Sequence, residues 1–452
     1  MRLAVALFFL IPISKIVNFN ELFTIDPWYH MAMTKNMEPV QLFSNNVQLY
    51  DKIEIWHYPT FMRTLLYEFH LITNADYIQI YKYFWFIAKF FLLIVMFLFV
   101  KSIYFSYFNI KLKKSEELLF ILLALWHSYF WTRAWITFPE NFALLFHALI
   151  LLFCTKFLIQ NRSIYLFLIA LSCSISIYYH NPSFVMVFLI ALWFIVGLFI
   201  QNKKYFLRNI LYILIPFIFL SLPVINILAI EYIRQFTENI GTNIQSYWDI
   251  TRFIAPSLYT YIQYASEFIV LFWILWFLRL FIKKQNRQDF KYIETLFPLF
   301  FLCIGALILT NWVRFNINVP TDRMQWYFII PIIIFAYIWL MKFMKNRTIQ
   351  LKIIITFLIF IISFNVVVVS KWWFKLRKGE IQVGDYLNTH FSPDRKYFFD
   401  EEVNYNELQF PYYKNIVSNT GNVVTWDWII TYKTYDTLKL VFQDKYLRVY
   451  EQ

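Results

Sequence analysis

Residues Phe184–Ile200 read FVMVFLIALWFIVGLFI, without one charged side chain, and the chain turns basic straight after them at Lys203, Lys204 and Arg208. A bilayer with a hydrocarbon layer about 30 Å thick accepts a helix of roughly 20 such residues. Immediately upstream, Ile164–Tyr179 is a second apolar run, and His180-Asn181-Pro182-Ser183 forms a tight polar turn between the two. The pair reads as a membrane helical hairpin.

The pattern continues in both directions. Further spans are expected near Leu3–Val17, Tyr83–Val100, Leu118–Trp131, Phe142–Leu158, Ile210–Ile230, Tyr261–Ile282, Thr295–Trp312, Trp326–Met344 and Ile353–Ser370, about eleven in all. No small-residue cleavage site follows Leu3–Val17, so that run reads as an uncleaved first span rather than a signal peptide. Composition agrees: hydrophobic residues make up 60% of the chain and charged residues 15%, where a soluble domain carries roughly a quarter charged.

The formal charge of +13, from 41 Lys+Arg against 28 Asp+Glu, is placed rather than spread. Lys101, Lys111, Lys113 and Lys114 share one short loop; Lys156 and Arg162, Lys203 to Arg208, Lys283 to Lys291, and Lys345 with Arg347 mark the alternate loops that follow. This is the positive-inside pattern, which also suits anionic lipid head groups; nucleic-acid binding is not predicted. It sets the N-terminus in the cytoplasm. Residues 18–81, residues 230–260 and the C-terminal tail are expected outside the cell membrane. Cys154, Cys173 and Cys303 all fall inside apolar runs, as small buried hydrophobes. They offer neither a disulfide framework nor a thiolate metal site.

From about Lys371 the chain becomes polar and mixed in charge. Gly379–Phe391 reads as a helix, and Lys396–Asp400, Asn422–Trp426, Trp428–Tyr432 and Tyr446–Tyr450 read as short strands. The expected architecture is mostly α: a polytopic membrane helical bundle over residues 1–370, with a small extracytoplasmic α/β domain over residues 371–452.

Chemistry is expected on the outer loops. The first opens with Thr24-Ile25-Asp26-Pro27-Trp28-Tyr29-His30, a carboxylate at a membrane boundary among aromatics. An interfacial aromatic belt with a capping Asp is the competing reading. The same loop carries Trp56-His57-Tyr58-Pro59-Thr60, then Phe61–Ile72, which reads as an amphipathic helix in the interface. A short second loop holds Arg133 and Pro139-Glu140-Asn141; Glu140 at a span mouth is either functional or a helix-start carboxylate. Arg314 and Thr321-Asp322-Arg323 stand near a later span, where a guanidinium can grip phosphate oxygens in pairs. His180 sits in the polar turn quoted above, and a plain turn competes with a site role there.

In this order, Asp26-Pro27-Trp28-Tyr29-His30, His57-Tyr58-Pro59, Arg133 with Pro139-Glu140-Asn141, and Asp322-Arg323 resemble the GT-C class of polytopic glycosyltransferases. They look most like prokaryotic relatives of the oligosaccharyltransferase catalytic subunit and mannosyltransferases that use polyprenyl-phosphate sugars. The resemblance covers roughly the first 345 residues. It implies a hexosyltransferase of the cell envelope acting at the extracytoplasmic face, with a polyprenyl-phosphate-linked sugar as donor and a glycan or protein as acceptor. Asp26 would be the general base or a metal ligand, and Glu140 the second acidic residue. Arg323, with Arg133 or Arg314, would hold the lipid phosphate, and His30, His57 and His180 would line the substrate. Where such enzymes are metal-dependent, Asp26 and Glu140 would hold a divalent ion such as Mg or Mn. All these groups would then share one outward-facing cavity.

Two departures matter. The second loop has no D-x-D pair, and the tail lacks the WWDYG signature of sequon readers; Thr425-Trp426-Asp427-Trp428 echoes it only superficially. Transfer of a single sugar is therefore expected ahead of oligosaccharyltransferase-like protein glycosylation. A transporter or flippase is the non-enzymatic alternative, disfavoured because the acidic candidates lie at span ends rather than at mid-membrane breaks.

Overall fold

The structure is a computed structural model. It describes residues 46–49, 52–55, 61–108, 111–126, 139–179, 183–201, 203–238 and 329–343, the tail strands 397–399, 428–431, 439–443 and 448–451, and the helical positions 31, 34, 352, 386 and 390. The described elements run β1 (Asn46–Leu49), β2 (Lys52–Ile55), α1 (Phe61–Thr73), α2 (Tyr77–Phe108), α3 (Lys114–Trp126), α4 (Pro139–Gln160) and α5 (Ile164–Tyr179). Then come α6 (Ser183–Gln201), a 3-10 turn (Lys203–Tyr205), α7 (Phe206–Glu238), α8 (Ile329–Phe343), and strands β3 (Tyr397–Phe399), β4 (Trp428–Thr431), β5 (Lys439–Gln443) and β6 (Arg448–Glu451). The protein is mostly helical, as expected. The expected spans over 3–17, 261–282, 295–312 and 353–370 lie outside the described residues.

Two compact units emerge. One comprises Met1–Lys15, Phe86–Trp135 and Pro139–Ser370; the other comprises Ile16–Trp85, Ile136–Phe138 and Lys371–Gln452.

Within the first unit, Ile87–Phe105 and Glu140–Gln160 are long and apolar enough to cross a membrane by length and composition, and Ile164–Tyr179, Met186–Phe199 and Phe206–Leu222 are shorter apolar helices. The surface of α2 is apolar along one side. Ile87, Phe91, Leu98 and Phe105 are 43–55% exposed, one stripe at steps of four and seven residues, while Ala88, Leu92, Met96 and Phe99 on the other side are buried. Helix α6 repeats the device with Phe188, Leu192, Val196 and Phe199, and α7 exposes a broader face that includes Leu207 and Phe219. A water-soluble monomer rarely shows so much contiguous apolar surface, whereas hydrocarbon would accept it without penalty.

Helices α4, α5, α6 and α7 pack together, with α5 held between α4 and α7. In a bilayer, where lipid tails are as apolar as Leu, helix association depends on close packing and interhelical hydrogen bonds. The structure supplies both. Ser221 Oγ donates to Ser174 Oγ at 2.8 Å, and Tyr178 Oη donates to the Leu220 carbonyl at 2.9 Å, tying α5 to α7. Phe142 and Phe146 on α4 both stack on Tyr179 of α5, with centroids 5.0 and 5.6 Å apart.

Two of the described helices, α1 and α4, end on asparagine. Asn161 has φ 51° and donates its N–H to the Phe157 carbonyl at 2.7 Å; Asn74 has φ 54° and does the same to His70 at 2.7 Å. Each is the left-handed residue just past a helix, bonding back to the fourth residue before it. In a chain with only 6 Gly, asparagine takes the place glycine usually fills because its short polar side chain tolerates this conformation. Helix α3 starts on the other common device: the Lys113 N–H donates to Glu116 Oε2 at 2.7 Å, and Glu116 and Glu117 place negative charge in the first turn.

In the second unit, β1 and β2 form an antiparallel hairpin with Leu49 opposite Lys52. This hairpin lies inside the long, half-polar first loop, where no strand is expected from sequence. Helix α1 occupies Phe61–Thr73, where an amphipathic helix is expected over Phe61–Ile72. The tail strands form a four-stranded sheet in the order β3-β4-β6-β5, parallel at β3–β4 and antiparallel elsewhere. Strand β5 was not foreseen, and the expected strand 422–426 lies outside the described residues.

Candidate functional site

Of the positions singled out from sequence, Glu140 lies among the described residues; Asp26, His30, His57, Arg133, His180, Arg314 and Arg323 lie outside them. Glu140 follows Pro139, the first residue of α4, so its carboxylate stands in the first helical turn. Proline pre-sets the helical φ there and has no N–H to leave unbonded, and the positive end of the helix dipole favours an acid. Yet the side chain is not a solvated cap. Glu140 is 5% exposed and Asn141 is 1% exposed. A buried carboxylate is costly to keep unless it is paired or used.

Two turns along the same face comes His147, 1% exposed. Seven residues at 1.5 Å each set its Cα about 10 Å further along the axis on nearly the same azimuth as Glu140. Cys154 follows after another seven and is fully buried. Helix α4 thus carries an interior polar line starting at its acidic end, while Phe142 and Phe146 fix the neighbouring face against α5.

Among the described residues, three buried basic side chains escaped the sequence reading: Lys89 on α2, His147 on α4 and Arg63 on α1, each at most 1% exposed. The signal was present, since an ionisable residue within an apolar helix is a site hypothesis by default. Lys89 lies opposite the exposed stripe of α2, on the side that faces protein. In the second unit, Arg63 is buried beside Met62 and Leu66, and Thr34 Oγ1 and Tyr81 Oη share a buried hydrogen bond of 2.7 Å. Burial raises the Tyr81 phenol well above its ordinary range; the bond with Thr34 and the charge of Arg63 pull it part of the way back.

Among the described residues no group of three or more His, Cys, Asp or Glu side chains could hold a metal ion. The one described carboxylate of the expected pair, Glu140, is a hard oxygen donor of the kind Mg and Mn prefer.

No protein-family model and no curated protein matches the sequence. Solved structures match in shape, and two membrane glycosyl-transferring enzymes are among them. A crystal structure of ArnT from Cupriavidus metallidurans bound to undecaprenyl phosphate matches 99% of this chain and 97% of its own, with TM-score 0.59 at 9% identity. The Archaeoglobus fulgidus oligosaccharyltransferase matches 88% of this chain, with TM-score 0.56 at 11% identity in its apo form and 0.53 at 10% in its complex with Zn and sulfate. This chain spans 61% and 59% of the length of those two oligosaccharyltransferase chains. At such identities the likeness is one of fold.

Proposed function

We propose that this protein is an inverting membrane glycosyltransferase that moves one sugar from a polyprenyl-phosphate carrier to an acceptor at the extracytoplasmic face. The observation that carries this reading is the near end-to-end fold likeness to ArnT, itself solved with undecaprenyl phosphate. The acidic and arginine positions in the same chain, Asp26, Glu140 and Arg323, support it.

The chemistry follows from charge. An acceptor oxygen attacks the anomeric carbon, and the bond from that carbon to the phosphate oxygen breaks with its electron pair going to phosphate. Asp26, ionised at neutral pH with a reference pKa of about 3.9, takes the acceptor proton. Arg323, with Arg133 or Arg314, holds the departing lipid phosphate and stabilises its growing negative charge. Glu140 stands as the second acid, and His30, His57 and His180 line the substrate. A divalent cation, where one is used, would be held by Asp26 and Glu140 and would further neutralise the phosphate. Membrane residence, a cytoplasmic N-terminus and an extracytoplasmic tail domain belong to the same proposal.

Asp26→Asn tests it. The variant should insert and purify like the parent and lose transfer of labelled sugar from the lipid carrier by at least about 100-fold, the scale of a lost general base. Retained transfer would remove Asp26 from the reaction. A second reading, transfer of a lipid-linked glycan to protein asparagine, is favoured by the oligosaccharyltransferase likeness. Sequon-dependent labelling of a peptide would select it.

A further inference from the structure

The chain that follows Asp26 is anchored at a specific point. Met31 and Thr34, three residues apart on a helix, are both fully buried. The Thr34 hydroxyl shares a buried 2.7 Å hydrogen bond with Tyr81, forty-seven positions away. A helical threonine commonly satisfies its hydroxyl on the carbonyl one turn back. Thr34 also reaches a different element, Tyr81 of α2.

Tyr81 is presented by a braced hairpin. Asn74 closes α1 in the left-handed conformation, and His70 Nδ1 lies 2.7 Å from the Ala75 carbonyl oxygen. The His70 ring stacks on Tyr77 with centroids 4.1 Å apart, and Phe69 packs edge-on against Phe84 at 5.5 Å. Tyr77 precedes Tyr81 by one helical turn on the same face of α2. Arg63, on α1 and 1% exposed, completes the cluster, and its charge acts on the Tyr81 hydroxyl. Burying a guanidinium and two hydroxyls costs more than an apolar cluster of the same volume would. What such groups contribute is direction, since hydrogen bonds accept one register and apolar contacts accept several.

We infer that Thr34, Tyr81 and Arg63 form a buried clamp that fixes the chain leaving the Asp26–His30 segment against α1 and α2, with Tyr81 as a positioning residue for the first-loop acid. This rests on the proposed role of Asp26. The clamp touches no substrate; it sets the path of the backbone eight residues downstream of the base.

The test is turnover by the full-length protein in liposomes, measured for Tyr81→Phe, Thr34→Val, the double variant and Thr34→Ser, with Asp26→Asn alongside. Tyr81→Phe and Thr34→Val should each lower kcat about 10- to 100-fold, as small misplacements of reacting groups do, with KM for the lipid donor unchanged. The double variant should fall no further than either single one, and Thr34→Ser, which keeps the hydroxyl, should restore the rate. The same variants should bind polyprenyl phosphate like the parent, which separates positioning from loss of folded protein. Full turnover in Tyr81→Phe while Asp26→Asn is inactive overturns the clamp alone, as does a drop in lipid binding that tracks the drop in rate. Full turnover in Asp26→Asn overturns the role of the acid and the clamp together.

Discussion

The Tyr337 hydroxyl donates a 2.8 Å hydrogen bond to the backbone carbonyl of Glu116, joining α8 to the first turn of α3 across 221 positions of chain. The ring around that hydroxyl is held edge-on by Phe120 at 5.2 Å and by Tyr104 at 5.8 Å, so one side chain links three helices. Tyr337→Phe keeps the ring and removes one half-buried bond, and should cost about 0.5–1.5 kcal/mol. Tyr337→Ala empties the aromatic cluster and should cost about 3–5 kcal/mol. Unfolding in mild detergent, followed by denaturant titration, checks the ordering; equal losses would mean the ring contributes nothing.

Asn161 makes the sharp link between α4 and α5. An alanine there must hold a left-handed backbone without the local support of an amide, and Asn161→Ala should lose about 1 kcal/mol. Asn161→Gly should match or exceed the parent, because glycine enters this conformation freely. Thermal melting of the three proteins distinguishes them, and a glycine variant weaker than the alanine one would contradict the cap.

Ser174 and Ser221 test how much an interhelical hydroxyl pair supports the bundle. Their 2.8 Å bond should show a coupling of about 0.6 kcal/mol in a double-mutant cycle with alanine. Additive losses would place the stabilisation elsewhere in the α5–α7 contact.

Tyr81 predicts an alkaline limb. Burial raises its folded-state pKa, whereas in the unfolded chain a tyrosine titrates near about 10. Below that pH both states hold the proton and stability does not change on its account. Above it the unfolded state loses its proton first, so the unfolded state gains and stability falls as pH rises towards the folded-state value. Melting temperatures between about pH 8 and 11 should decline less steeply in Tyr81→Phe, although that variant starts lower for want of the Thr34 bond. Identical slopes would contradict the burial of an ionisable hydroxyl.

Helices were readable wherever hydrophobicity alone defines them. Ile164–Tyr179 has the bounds expected from its composition, and Phe184–Ile200 gains a single residue at each end. Reading by apolar content failed where polar groups take part in the helix. Helix α3 begins at Lys114 rather than at Leu118, because Glu116 caps it and charged side chains fit a first turn. Helix α2 extends from Tyr77 to Phe108, past both ends of the apolar run, carrying Lys101 within salt-bridge reach of Glu117 at 3.5 Å. The hairpin β1–β2 carried its own signal in the alternation of Val47, Leu49, Ile53 and Ile55 around Tyr50-Asp51, a signal short enough to be lost in a long loop.

The site was less legible than the fold. Acids and arginines at span ends can be noticed one at a time, and Glu140 is indeed buried at a helix start. The ionisable residues that the fold turns inward, Arg63, Lys89 and His147, look in sequence like isolated polar interruptions of apolar helices. Only the packing of neighbouring helices decides whether such a residue faces lipid head groups or protein.

The most direct measurement of the central claim is carrier binding, because every donor the proposal admits shares the polyprenyl phosphate whatever its sugar. Purified protein titrated with polyprenyl phosphate in native mass spectrometry should take up one lipid per chain, in preference to phosphatidic acid of matched charge, and Arg323→Ala should weaken that uptake at least about tenfold, the loss of one charge-assisted phosphate contact. Equal uptake of both lipids, or none of the polyprenyl phosphate, would contradict the account.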